Sequence, residues 1–132
     1  MEPEDVVHVL RNLVEAVRPG GLVLDLQVIR PDPIVESDGQ VVCEIDGEPL
    51  FRRADAATAA IDGLIRRHEL VEQAVDDHDV REHYANGAEL IDDFAGKQRR
   101  LPEHALAQLR ALTGPCVVRE RCRLRRLLIS AP

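Results

Sequence analysis

Apolar residues in this chain recur at two spacings, and the switch between them lays out the elements. Val6, Val9, Leu10, Leu13, Val14 and Val17 follow the 3.6-residue period and predict a helix over residues 3–17. Pro3 suits the first helical position, and Glu4 and Asp5 complement the positive end of the helix dipole. Arg18-Pro19-Gly20-Gly21 ends that helix and turns the chain. The period then drops to two. Leu22, Leu24, Leu26 and Val28 share one face of a strand over about 22–29, and Val23, Asp25, Gln27 and Ile29 share the other. A strand so nearly apolar on both faces is expected to be covered by helices on both.

Residues 30–53 carry turn chemistry. Pro31-Asp32-Pro33 is expected to break structure, and Asp38-Gly39 and Asp46-Gly47 both carry the hairpin signal. They predict a small hairpin or meander within 34–52, with strands near 34–36, 41–45 and 48–52. A second helix is expected over 54–68, with Ala57, Ala60, Ile61, Leu64 and Ile65 inward. Residues 70–84 read as a long polar strand. Asn86 and Glu89 form a capping-box pattern ahead of a short helix over 87–95. A fourth helix, 102–112, stops at Gly114-Pro115, and a last strand spans 116–129. About four helices and three main strands make an α/β reading.

At 132 residues and 45% apolar, the chain is expected to fold as one domain with its own core. With no Trp, one Tyr and two Phe, that core has to be aliphatic. A net charge of −7 argues against nucleic acid and against anionic membrane surfaces as partners. No apolar run reaches the ~20 residues that span a bilayer. Met1-Glu2-Pro3-Glu4-Asp5 does not resemble a signal peptide. Cys43, Cys116 and Cys122 are odd in number and form no Cys-x-x-Cys pair, so reduced thiols and a cytoplasmic location are expected.

Alternation in the last strand puts Arg119, Arg121, Arg123 and Arg125 on one face, and Asp77 and Asp79 share a face of the strand over 70–84. If the two strands pair antiparallel, acid stands opposite base, and each cross-strand pair contributes about 0.2–1 kcal/mol. A solvated charge ladder is the first reading of these residues; a phosphate or carboxylate site on the arginine stripe is the second. Asp76-Asp77-His78-Asp79 with His83 invites a metal reading, but His78 and His83 lie an odd number apart and point to opposite faces. No metal site, nucleophile elbow, His-Glu-x-x-His or phosphate-loop sequence is expected here. Gly20-Gly21 follows a helix and precedes a strand, the reverse of a phosphate-binding glycine loop, and so reads as a turn.

The helix, Arg18-Pro19-Gly20-Gly21 and Leu22-Val23-Leu24-Asp25-Leu26 resemble the run into the fifth strand of class I S-adenosylmethionine-dependent methyltransferases, a Rossmann-like family. The order of the later elements is similar to that family's last helix and final antiparallel hairpin, and Arg81-Glu82-His83-Tyr84 before an acidic helix is similar to its small-molecule members. The resemblance covers nearly the whole chain, but only the C-terminal half of the family domain. It implies an α+β half-domain over 1–132, with the terminal strand antiparallel between the strands at 22–29 and 70–84. It also implies that the cofactor-binding half lies outside the chain. No cofactor-binding or catalytic residue carries over, and S-adenosylmethionine would be held only beside a complementary half. The acceptor side of the family's pocket maps to Gln27 and Arg30.

In the full family fold the strand at 22–29 is paired along both edges. Here one edge is expected to lie bare, an aggregation template unless another chain covers it. The expectation is a non-catalytic binding module that forms a homodimer through that edge, with Leu22, Leu24, Leu26 and Val28 as the dimer-edge candidates. Two alternatives stand beside it: the C-terminal portion or subunit of an active small-molecule methyltransferase, and an unrelated α+β binding protein.

Overall fold

A computed structural model describes residues 8–9, 12–13, 15–97 and 99–130. Strands β1 (Leu22–Ser37), β2 (Gln40–Glu44), β3 (Leu70–Tyr84) and β4 (Cys116–Ile129) form one antiparallel sheet in the order β2-β1-β4-β3. The terminal strand thus lies between β1 and β3, as expected. The helices are α1 (Glu48–Arg66), α2 (Gly87–Gly96) and α3 (Glu103–Arg110). Three helices have complete bounds, where about four were expected. The first expected helix, 3–17, lies partly outside the described residues; residues 8–9, 12–13 and 15–16 are helical. No helix among the described residues is long and apolar enough to cross a membrane.

The connector differs from its sequence reading. β1 does not stop near residue 29 but runs on through Pro31 and Pro33 to Ser37. Proline is tolerated in a strand where its nitrogen owes no ladder bond, and β2 pairs only with Ile34–Ser37, beyond both prolines. Asp38 and Gly39 both take positive φ, 51° and 73°, and close a tight hairpin as their sequence signals. The second Asp-Gly makes no hairpin. Asp46 Oδ1 accepts from the Glu48 amide at 3.0 Å, and the Gly47 amide donates to Asp32 Oδ1 at 3.0 Å, so this pair opens α1. Residues 48–52 are therefore helix, not strand, and the hairpin ends at Glu44.

Contacts divide the chain into two compact units. The first comprises residues 1–29, 49–78 and 122–132. Its core is Val23, Leu70, Leu127 and Ile129 on the sheet against Ile61 and Leu64 of α1. The second comprises residues 30–48 and 79–121, with a core that includes Val35, Cys43, Tyr84, Leu90, Phe94, Leu109 and Val118. Its α2 opens on the expected capping box: Asn86 Oδ1 accepts from the Glu89 amide at 2.9 Å, and Glu89 reaches back to the Ala85 amide. Gly87 is obligatory, because a Cβ there would stand 1.7 Å from the Leu109 carbonyl oxygen.

β4 carries the main departure from simple alternation. Buried positions are even from Cys116 to Cys122, then odd from Arg125 to Ile129. The phase slips by one at Arg123–Leu124, as it does where one strand holds an extra residue. Arg125 is therefore not on the outward stripe with Arg119, Arg121 and Arg123, as strict alternation had it. It points inward.

Candidate functional site

In the first unit, the two faces of the sheet differ. α1 covers one. On the other, Leu22, Leu24 and Leu26 are 46%, 66% and 55% exposed, and Val71 and Val75 of β3 nearly half exposed. Leu124 and Leu128 of β4 are half-buried at outward positions. β1 was expected to be covered on both faces, and among the described residues it is covered on one. Three of the four dimer-edge candidates thus form an exposed apolar row; the fourth, Val28, is half-buried. Along the sheet edge, β2 reaches only the Ile34–Ser37 end of β1, so among the described residues the stretch 22–29 has no strand on that side.

The acceptor-side candidates fall in different units. Gln27 is half-buried, and its Nε2 donates to Asp25 Oδ1 at 2.7 Å. Asp25 is buried, and its Oδ2 has no hydrogen-bond partner among the described residues. Arg30 is exposed and faces Glu48 at 3.6 Å.

The arginine stripe is a neutralised ladder. In the second unit, Arg119 makes two bonds to Glu36, at 2.7 and 3.0 Å, and stands 3.6 Å from Asp79. Arg121 donates to Asp79 at 3.2 Å, which is the main reason Asp79 titrates below the usual carboxylate range. A cleft of about 210 Å³ opens beside Arg119 and Arg121, lined also by Asp32 and Asp79. Its cations already face acids, so it offers no unpaired charge to a phosphate. In the first unit, Arg123 grips Asp77 through two bonds at 2.8 and 2.9 Å. The expected acid-opposite-base pairing holds at these three arginines.

Arg125 does something else. Its Nε donates to Glu72 of β3 at 2.7 Å and its Nη2 to Asp62 of α1 at 3.0 Å, with the side chain 8% exposed. It ties helix to sheet. Nothing in the sequence marks it apart from its neighbours, because the phase slip that turns it inward has no compositional signal.

Two polar clusters in the second unit escaped the sequence reading. Lys97 Nζ bridges Glu82 Oε2 and Asp93 Oδ2, at 2.8 and 2.9 Å. The Tyr84 hydroxyl lies 2.5 Å from the same Asp93 oxygen and 2.9 Å from Glu82, and donates its one proton to one of them. Lys97 holds Glu82 below its usual range, Tyr84 and then Lys97 do so for Asp93, and burial pushes the Tyr84 phenol well up. Arg99, stacked 4.8 Å over the Phe94 ring, pairs with Glu120 beside a groove of about 340 Å³ between α2 and α3.

No three His, Cys, Asp or Glu side chains stand together as metal ligands among the described residues. Asp76 Oδ2 stands 2.9 Å from His78 Nδ1, but off the direction a hydrogen bond needs. All three cysteines are buried; burial raises Cys43 and Cys116 above the ordinary thiol range, which disfavours the reactive thiolate. Compared with protein-family models, curated proteins and solved structures, the chain matches none.

Proposed function

We propose that this protein is a binding module that works as a homodimer through the 22–29 edge of β1 and does not transfer methyl groups by itself. The observation that carries the reading is the first unit's β1: an edge with no strand beside it among the described residues, and three leucines standing open. Exposed strand edges are templates for another chain, and two-fold dimers are the commonest closed oligomers. The neutralised arginines and inert thiols support binding over catalysis.

The order of β1, β4 and β3 is the one the methyltransferase resemblance implies, and it supports descent from that fold. It also favours a second reading, in which a complementary half-domain pairs along the same edge and supplies the S-adenosylmethionine site. On either reading the 132 residues carry no glycine loop running from strand to helix. Three cysteines, odd in number and with no Cys-x-x-Cys pair, fit a cytoplasmic setting.

Light scattering coupled to size exclusion tests the dimer. A mass of at least twice the chain's 14.7 kDa is expected at micromolar concentration, and a stable monomer sinks the reading. Calorimetry with S-adenosylmethionine should give no heat of binding; micromolar affinity for the isolated protein would overturn the non-catalytic assignment.

A further inference from the structure

Edge pairing leaves a surface that one dimer cannot bury. Five of the eight large apolar side chains that stand exposed among the described residues lie on the first unit's sheet: Leu22, Leu24, Leu26, Val71 and Val75. Alternation places all five on the face away from α1, since Val23, Leu70 and Leu127 fill the opposite face. A contiguous apolar patch of this kind marks an interaction surface.

Two copies paired antiparallel along β1 are related by a dyad perpendicular to the sheet. That dyad keeps both outer faces on the same side, so the patch doubles. Six strands at ~4.8 Å and eight residues at ~3.3 Å give a face of about 29 by 26 Å, or roughly 750 Å². A stable interface buries about 800 Å² per partner. One chain's face reaches about half of that, and the paired face reaches nearly all of it.

We infer that two such edge-paired dimers stack through their outer faces into a closed four-chain assembly with three mutually perpendicular dyads. The inference rests on the edge-paired dimer proposed above. A second pair is the occupant that matches the patch in area, in apolar character and in its aligned strands, which pack sheet on sheet within about 30°. Arg123 with Asp77 supplies a polar border. Arg126 works against the stack. It is the exposed, charged residue at an outward position between Leu124 and Leu128, and stacking brings like charges together. Its long stem can lie along the sheet with the guanidinium directed to the rim.

Sedimentation velocity from 1 to 200 μM tests the stack. The expected heavy species has four times the 14.7 kDa chain mass and dissociates to dimers on dilution. Leu24→Glu, at the most exposed of the leucines, should leave folded dimers and weaken the dimer–dimer step at least tenfold. Arg126→Leu should strengthen it by a similar factor, and raising the salt should shift the wild type the same way. A wild-type dimer that never grows at 200 μM overturns the stack and leaves the edge-paired dimer standing. A wild-type monomer overturns both. A tetramer indifferent to Leu24→Glu, or a Leu24→Glu protein that falls to monomers, overturns the stack by putting the contacts elsewhere.

Discussion

Arg123 and Arg125 sit two residues apart on β4 and would look equivalent in any alternating strand, yet truncating them should cost very different amounts. The Arg123 side chain is 42% exposed, and its partner Asp77 is 32% exposed. Exposed pairs of this kind contribute about 0.2–1 kcal/mol, so Arg123→Ala should destabilise by roughly 0.5 kcal/mol. The Arg125 side chain is 8% exposed and bonds Asp62 of α1 and Glu72 of β3. Breaking a fully buried pair costs about 3–5 kcal/mol because it strands a charge. Here the stranded carboxylates are 45% and 35% exposed and regain water, which lowers that figure. The arginine's buried methylenes add back part of it, at ~0.8 kcal/mol each. The net expectation for Arg125→Ala is about 2–3 kcal/mol, or a fall of roughly 10 °C in Tm for a domain of this size. Arg125→Met, which keeps the apolar stem, should recover about half of the loss. Urea unfolding followed by far-ultraviolet circular dichroism at pH 7 measures all three variants. If Arg125→Ala and Arg123→Ala agree within about 0.5 kcal/mol, a margin no wider than the exposed pair's own contribution, the inward turn of Arg125 is wrong.

Gly87→Ala should destabilise by about 3 kcal/mol or prevent folding, since its Cβ would overlap the Leu109 carbonyl and main chain cannot yield cheaply; a thermal melt within 3 °C of wild type would refute the close approach of α2 to α3. Glu82 and Asp93 titrate below their unfolded values of about 4.3 and 3.9, so their contribution is full above about pH 5 and is lost as pH falls through the depressed folded values. Lys97 is raised, chiefly by Glu82, so its share is full below about pH 10.4 and is lost above it. Lys97→Met should flatten the stability profile at both ends, read as urea midpoints from pH 3 to 11; a profile parallel to wild type would show that the lysine does not couple these groups.

The long strands were legible because punctuation bounds them. Gly114-Pro115 precedes β4, and β3 runs between the end of α1 and the Asn86 cap. The start of α1 was not legible, since Asp-Gly serves hairpins and helix entries alike and only the Asp32–Gly47 bond decides between them. Pro31 and Pro33 read as breakers because the sequence does not show that β2 begins to pair only at Ile34. At the candidate surface, the row Leu22, Leu24, Leu26 follows from alternation. Its exposure does not, because a strand apolar on both faces reads as buried on both. Val71 and Val75 were hidden in a strand whose other residues are mostly polar.

The slip at Arg123–Leu124 also sets what kind of sequence change this protein can survive. A substitution on β4 alters one position. Removing Leu124 would restore strict alternation and leave Arg125, Leu127 and Ile129 facing inward, because the slip holds the one residue that alternation does not need. Removing a residue just after Arg125, with the slip kept, would instead turn Leu127 and Ile129 out to solvent and Leu128 in against α1. Length is therefore under tighter constraint on either side of the slip than at it, and a family of such chains should place its length differences in β4 at Arg123–Leu124.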